Sequence, residues 1–167
     1  MTSSLAQNFD PGLPLRTVAF RSWSSIKTPV MAWLWYMNAL YWVGFFYLER
    51  PEAFWAVISY IAVGPIVTVM IMTQRGLTRL SGLIHLPWVF FILYLGFRLF
   101  TDAAGPAVSP GDGAFYFHWL HLTFWSTLLC LAFDFVDIGR WILGERYVLG
   151  TPAAAACGAS KLAKQDA

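Results

Sequence analysis

From Phe54 to Met72 the sequence reads FWAVISYIAVGPIVTVMIM, 19 residues without a charged side chain. A hydrocarbon layer ~30 Å thick is crossed by about 20 helical residues at ~1.5 Å rise each. Three further runs of similar length follow the same pattern, Pro29 to Leu48, Leu80 to Phe100 and Phe115 to Val136, separated by short connections. Within a bilayer no water satisfies a backbone N–H or C=O, so single apolar runs of this length are helices. The sequence therefore predicts an all-α integral membrane protein built as a four-helix bundle.

Composition agrees with that class. Hydrophobic residues make up 58% of the 167 and charged residues 12%, against about 25% charged in an ordinary soluble domain. Aromatic residues reach 18%, and Trp and Tyr favour the headgroup level, where an apolar ring and a polar tip are both satisfied. The net charge of +2 is too small to call for a nucleic-acid partner.

Basic residues set the expected orientation. Nine of the 11 Lys and Arg fall before the first run, between the second and third, or after the fourth; only Arg50 and Arg98 fall on the other side. The positive-inside rule then places both termini in the cytoplasm of a bacterial-type inner membrane. Residues 1–28 are read as a cytoplasmic or interfacial segment without a cleavable signal pattern, in which Leu15, Val18, Ala19, Trp23 and Ile26 share a helical arc. Residues 29–150 form the four-helix domain with an interfacial extension, and 151–167 a flexible cytoplasmic tail poor in apolar area. Cys130 and Cys157 are too far apart in this scheme to pair, and the compartment is reducing. Short connections make the first and second helices, and the second and third, antiparallel neighbours.

Ionisable groups inside spans are costly, so each is a candidate for function. His85, in the third run, and Asp134, in the fourth, fall at similar depth and would make a proton-accepting pair if their helices adjoin. Asn38, mid-way along the first run, needs a partner on another helix and serves either as packing glue or as a ligand site. His118 and His121, in Phe-His-Trp-Leu-His, share a helix face and can ligate a metal with help from Asp102, Asp112, Glu49 or Glu52 in the connections, though the Glu of a zinc-hydrolase motif is missing. A haem clamped by two histidines is disfavoured, since His85 lies ~15 Å in depth from the other two. Arg98 is expected either to pair with Asp102, four residues on, or to snorkel to the headgroups. Gly64-Pro65 and Pro87 are expected to interrupt their helices.

P-loop, G-x-G-x-x-G, C-x-x-C, H-E-x-x-H and G-x-S-x-G motifs are all missing, so the parts for nucleotide hydrolysis, thiol redox chemistry and serine hydrolysis are not present in recognisable form. No pattern selects a cofactor. The reading that follows is a non-enzymatic accessory or binding subunit of a membrane assembly, whose partners are the lipid bilayer and other membrane subunits or further copies of itself. The alternatives are a small oligomeric transporter or channel using His85 and Asp134, and a haem- or metal-binding redox protein using His118 and His121.

Overall fold

The computed structural model describes residues 7–163. Among them every regular element is helical: α1 (Leu15–Ser24), α2 (Thr28–Trp42), α3 (Pro51–Gln74), α4 (Leu86–Phe100), α5 (Ala114–Ile142) and α6 (Pro152–Ala156). Short 3-10 segments occupy Val43–Tyr47, Arg79–His85 and Pro110–Asp112. Three helical stretches are long and apolar enough to cross a membrane: Pro51–Gln74, Arg79–Phe100 and Ala114–Ile142, of 24, 22 and 29 residues.

The first apolar run differs from its expected form. It is not one α-helix but 15 residues of α2 followed by five of 3-10 winding. Gly44 lies in that tighter turn, and a Cβ on it would be 3.0 Å from Val57 Cγ2 and 3.5 Å from Trp119. A side chain here would need Val57 to shift by a few tenths of an ångström. The third run is also composite, because Pro87 does not break a helix but stands in the first turn of α4, where a missing N–H costs nothing. Pro65, by contrast, does lie inside α3, which continues past it to Gln74.

The chain folds as two compact units. One comprises the described residues up to Trp33, Ile66–Ile84 and Asp134 onward. Its centre is where α1 meets the turn after α3. Val18 and Ser22 are fully buried, whereas Trp23 and Phe20 are exposed, so the buried face of α1 is narrower and smaller-sided than the arc read from the sequence. Small side chains allow this contact. Gly76 has φ +133°, and a Cβ there would fall 2.5 Å from Val148 Cγ1.

Residues 151–163, read from the sequence as part of a flexible tail, carry a short helix and backbone hydrogen bonds to the rest of their unit. Thr151 caps α6, its side chain accepting from the Ala154 N–H, and Pro152 with four alanines supplies a strong helical start. Lys161 N–H donates to Ser25 O at 2.8 Å and Ala163 N–H to Gly150 O at 3.0 Å. Tyr147, Ala153 and Ala154 form a small apolar core beneath. Backbone pairing and close packing of alanines hold this stretch where apolar area alone would not. Residues 1–6 and 164–167, parts of the two predicted terminal segments, lie outside the described residues.

The other unit comprises Leu34–Pro65 and His85–Phe133. Tyr41, Leu95, Leu120, Thr123 and Thr127 are its fully buried centre. Four rings stack nearly parallel through it. Tyr60 lies 5.5 Å from Tyr41, Tyr41 4.7 Å from Trp88, and Trp88 4.1 Å from His85, with interplanar angles of 17°, 12° and 15°. Such offset stacking contributes ~0.5–1.5 kcal/mol per pair beyond burial. Trp119 Nε1 donates to Leu40 O at 2.9 Å, joining α5 to α2.

Candidate functional site

The antiparallel pair α3 and α4 leaves an apolar groove of about 410 Å³ lined by Trp55, Ile58, Ser59, Ala62, Pro87, Phe90, Phe91 and Tyr94. The lining residues recur every three or four positions on each helix, which places them on one face. Ser59 is the only hydroxyl on the α3 wall, and it donates internally to Ala56 O at 2.8 Å. The groove therefore offers hydrocarbon and ring faces. Pro87 matters to its shape, since proline in the first turn of α4 replaces a flexible wall by a fixed ring.

One turn before Trp55 on α3 stands Glu52, and one turn after Tyr94 on α4 stands Arg98. Arg98 Nε donates to Glu52 Oε1 at 2.5 Å, and the Tyr116 hydroxyl donates to Glu52 Oε2 at 2.9 Å. Glu52 is only 2% exposed. Both of its oxygens are thus occupied, as a buried carboxylate requires. Arg98 Nη1 further donates to Ala104 O and Pro106 O, which pins the α4–α5 connection to the end of α4. The expected Arg98–Asp102 pair is not formed; Asp102 instead accepts from the Ala107 N–H at 3.0 Å. A second, polar cavity of about 260 Å³ opens beside this cluster, with Arg50, Asp112 and Val108 on its walls. Hydrogen bonds from the Ser109 N–H and hydroxyl hold the Asp112 carboxyl below its usual range.

Neither the groove nor the Glu52–Arg98–Tyr116 cluster was singled out from the sequence. A signal for the cluster existed. Antiparallel neighbours bring the start of one helix to the end of the next, and those two positions carry an acid and a base.

The residues singled out from the sequence are distributed as follows. Asn38 Nδ2 donates to Leu34 O at 2.7 Å, and its Oδ1 accepts from the Tyr60 hydroxyl at 2.5 Å, so the amide joins α2 to α3. The neighbouring pairs Tyr36–Ser126 at 2.7 Å and Tyr41–Thr127 at 3.0 Å join α2 to α5. His118 is exposed, and His121 Nδ1 lies 3.0 Å from Phe117 O. Among the described residues no third metal-ligating side chain converges on these two histidines. His85 is buried at the entry to α4 and belongs to the second unit; Asp134 is half-buried on α5 and belongs to the first. Within the second unit, a ring nitrogen of His85 and Cys130 Sγ lie within 4.8 Å of each other. Cys130 and Cys157 do not form a disulfide with each other; the one is buried and the other exposed.

Comparison with family models, with curated proteins and with solved structures gives no match.

Proposed function

We propose that this chain is a four-span inner-membrane protein, both termini cytoplasmic, that acts as a non-enzymatic binding subunit by seating the hydrocarbon chain of a membrane lipid between α3 and α4. Three spans are the helical stretches described above. For the fourth, α2 with its 3-10 continuation reaches ~32 Å at ~1.5 and ~2.0 Å per residue, enough for a ~30 Å core. The placement of Lys and Arg supports the orientation.

The observation that carries the binding role is the groove itself: about 410 Å³ of apolar space walled by rings on two helices that are each apolar enough to span. Ligand pockets of this size with mostly apolar walls and few polar groups are typical of small-molecule sites. The Ser59 hydroxyl is already bonded to Ala56 O and the Tyr94 hydroxyl to Arg98, so a chain without polar atoms strands neither. Many large apolar side chains, among them Trp35, Phe46, Phe90 and Trp125, are exposed on the helices and fit direct contact with acyl chains or with partner helices.

The test is native mass spectrometry of the full-length protein released from mild detergent. Wild type retains lipid at about one per chain. Ala62→Trp fills the groove and loses it, while Ala39→Trp, on the exposed side of α2, keeps it. Equal retention in all three, or none in wild type, would remove the lipid-seat reading.

A further inference from the structure

We propose that the polar cavity beside Glu52 and Arg98 receives the zwitterionic headgroup of phosphatidylethanolamine, with its phosphate on Arg50 and its primary ammonium on Asp112. This rests on the lipid seat between α3 and α4 and names the lipid that occupies it. Groove and cavity both belong to the second unit.

Polarity changes along one face of each helix. On α3, Ala62, Ser59, Trp55 and Glu52 stand three or four positions apart, and on α4 so do Pro87, Phe91, Tyr94 and Arg98, so each set shares a face. The members up to Trp55 and Tyr94 wall the groove, and Glu52 and Arg98 stand on the walls of the cavity. Tyr94 of the groove hydrogen-bonds Arg98 of the cavity, so the two spaces adjoin. Because α3 begins at Pro51 and α4 ends at Phe100, the cavity lies at the helix ends, where a bilayer has its headgroups, and the groove runs inward from it. A phospholipid carries its polar and apolar parts in that same order.

Charge selects the headgroup. Two guanidiniums and two carboxylates stand on the cavity wall, so it is balanced overall. Glu52 and Arg98 satisfy each other, whereas Arg50 Nη1 and Asp112 Oδ1 are 3.9 Å apart on side chains 44% and 41% exposed. An exposed pair at that distance contributes little, so a ligand bearing both charges replaces it at small cost. The Arg50 guanidinium suits a phosphate. Ser109 occupies Asp112 Oδ2 and keeps the carboxyl ionised, so Oδ1 can accept from an ammonium once Arg50 has turned to the phosphate. A purely anionic headgroup would leave Asp112 without a cation. A trimethylammonium has no N–H for Asp112, and the one ring among the described lining residues, Tyr116, is already faced by the Arg50 guanidinium at 5.5 Å.

The experiment is native mass spectrometry of the full-length protein from nanodiscs holding equal amounts of dioleoyl phosphatidylethanolamine, phosphatidylcholine and phosphatidylglycerol, which differ in headgroup alone. Wild type is expected to retain phosphatidylethanolamine over each of the others by roughly tenfold, the size of one charge-assisted hydrogen bond. Asp112→Asn, which keeps an acceptor for Ser109, retains lipid but loses the preference; Arg50→Gln weakens retention of all three lipids. Glu49→Gln makes the same charge change as Asp112→Asn at an exposed position off the cavity wall and keeps the wild-type preference. Should the cavity variants fold poorly, the unaltered chain must retain N,N-dimethyl phosphatidylethanolamine, which still has one N–H, above phosphatidylcholine. Lipid retained without preference, a preference for the choline or glycerol lipid, a preference unchanged in Asp112→Asn, or one lost equally in Glu49→Gln overturns the headgroup assignment and leaves the lipid seat standing. Soluble phosphoethanolamine bound as tightly as the lipid would make the cavity an independent site for free phosphate esters, and overturns it too. Absence of any lipid from wild type removes the seat itself, and the headgroup assignment with it.

Discussion

Glu145 follows the end of α5 and accepts from two partners, Tyr147 at 2.7 Å and Arg140 at 2.8 Å, with the Arg79 guanidinium also 2.8 Å away. Those two hydrogen bonds, with the neighbouring positive charge, lower its carboxyl from 4.5 to about 2. A depressed carboxyl stabilises the fold fully above its unfolded value, so this contribution is present above pH 4.5 and lost as pH falls toward about 2. Hydrogen exchange of residues 145–150 is expected to quicken across that window, and Glu145→Gln to flatten the response. A second residue-scale test concerns Asn38. Tyr60→Phe removes the donor to its Oδ1 and should lower stability by ~1 kcal/mol in mixed-micelle unfolding, within the ~0.6–1.7 kcal/mol range of interhelical bonds in bilayers. That Asn38 needs a partner was legible from its place in an apolar run. That the partner is Tyr60 was not, because tyrosine in an aromatic-rich helix reads equally well as a membrane anchor.

At the scale of elements, the Glu52–Arg98 pair ties the start of α3 to the end of α4, with the α4–α5 connection bound to the same guanidinium. Removing one member strands a buried charge, which costs ~3–5 kcal/mol, whereas replacing both by apolar groups is far milder. Arg98→Met should therefore unfold well below wild type in thermal denaturation, and Glu52→Leu with Arg98→Met should recover much of the loss. The recovery separates a buried ion pair from simple packing. The sequence expected Arg98 to pair locally because four-residue spacing is the strongest rule available along one helix; α4 ends at Phe100, so Asp102 is off the helix and that rule no longer applies. The turn after α3 gives a sharper test. Gly76→Ala meets both a positive φ and a 2.5 Å approach to Val148 Cγ1, so it should destabilise the unit containing α1 by more than about 1 kcal/mol. Proteolysis near residues 145–163 would report it. The order of that region rests on backbone pairs such as Leu149 N–H to Leu77 O, which composition does not encode.

On the whole-molecule scale the question is how many times the chain crosses the membrane. The helical class was legible because apolar runs near 20 residues admit few other structures, and three of the four appear as helices of spanning length. The first run was harder to read. Hydropathy sees Pro29 to Leu48 as uniform, while the close approach at Gly44 and the change to 3-10 winding depend on contacts with Val57 and Trp119. Parity decides between the two counts. With four crossings both termini face one side; with three, they face opposite sides. Cys157 is exposed and supplies a native reporter near the C-terminus, and Ser3→Cys in a Cys157→Ser background supplies one near the N-terminus. On the proposed orientation, which rests on the bias of Lys and Arg, an impermeant maleimide should label both in inverted membrane vesicles and neither in intact spheroplasts. Labelling of the two reporters from opposite sides would instead make α2 with its 3-10 turn an interfacial or buried element, and would confine the spans to α3, the α4 stretch and α5.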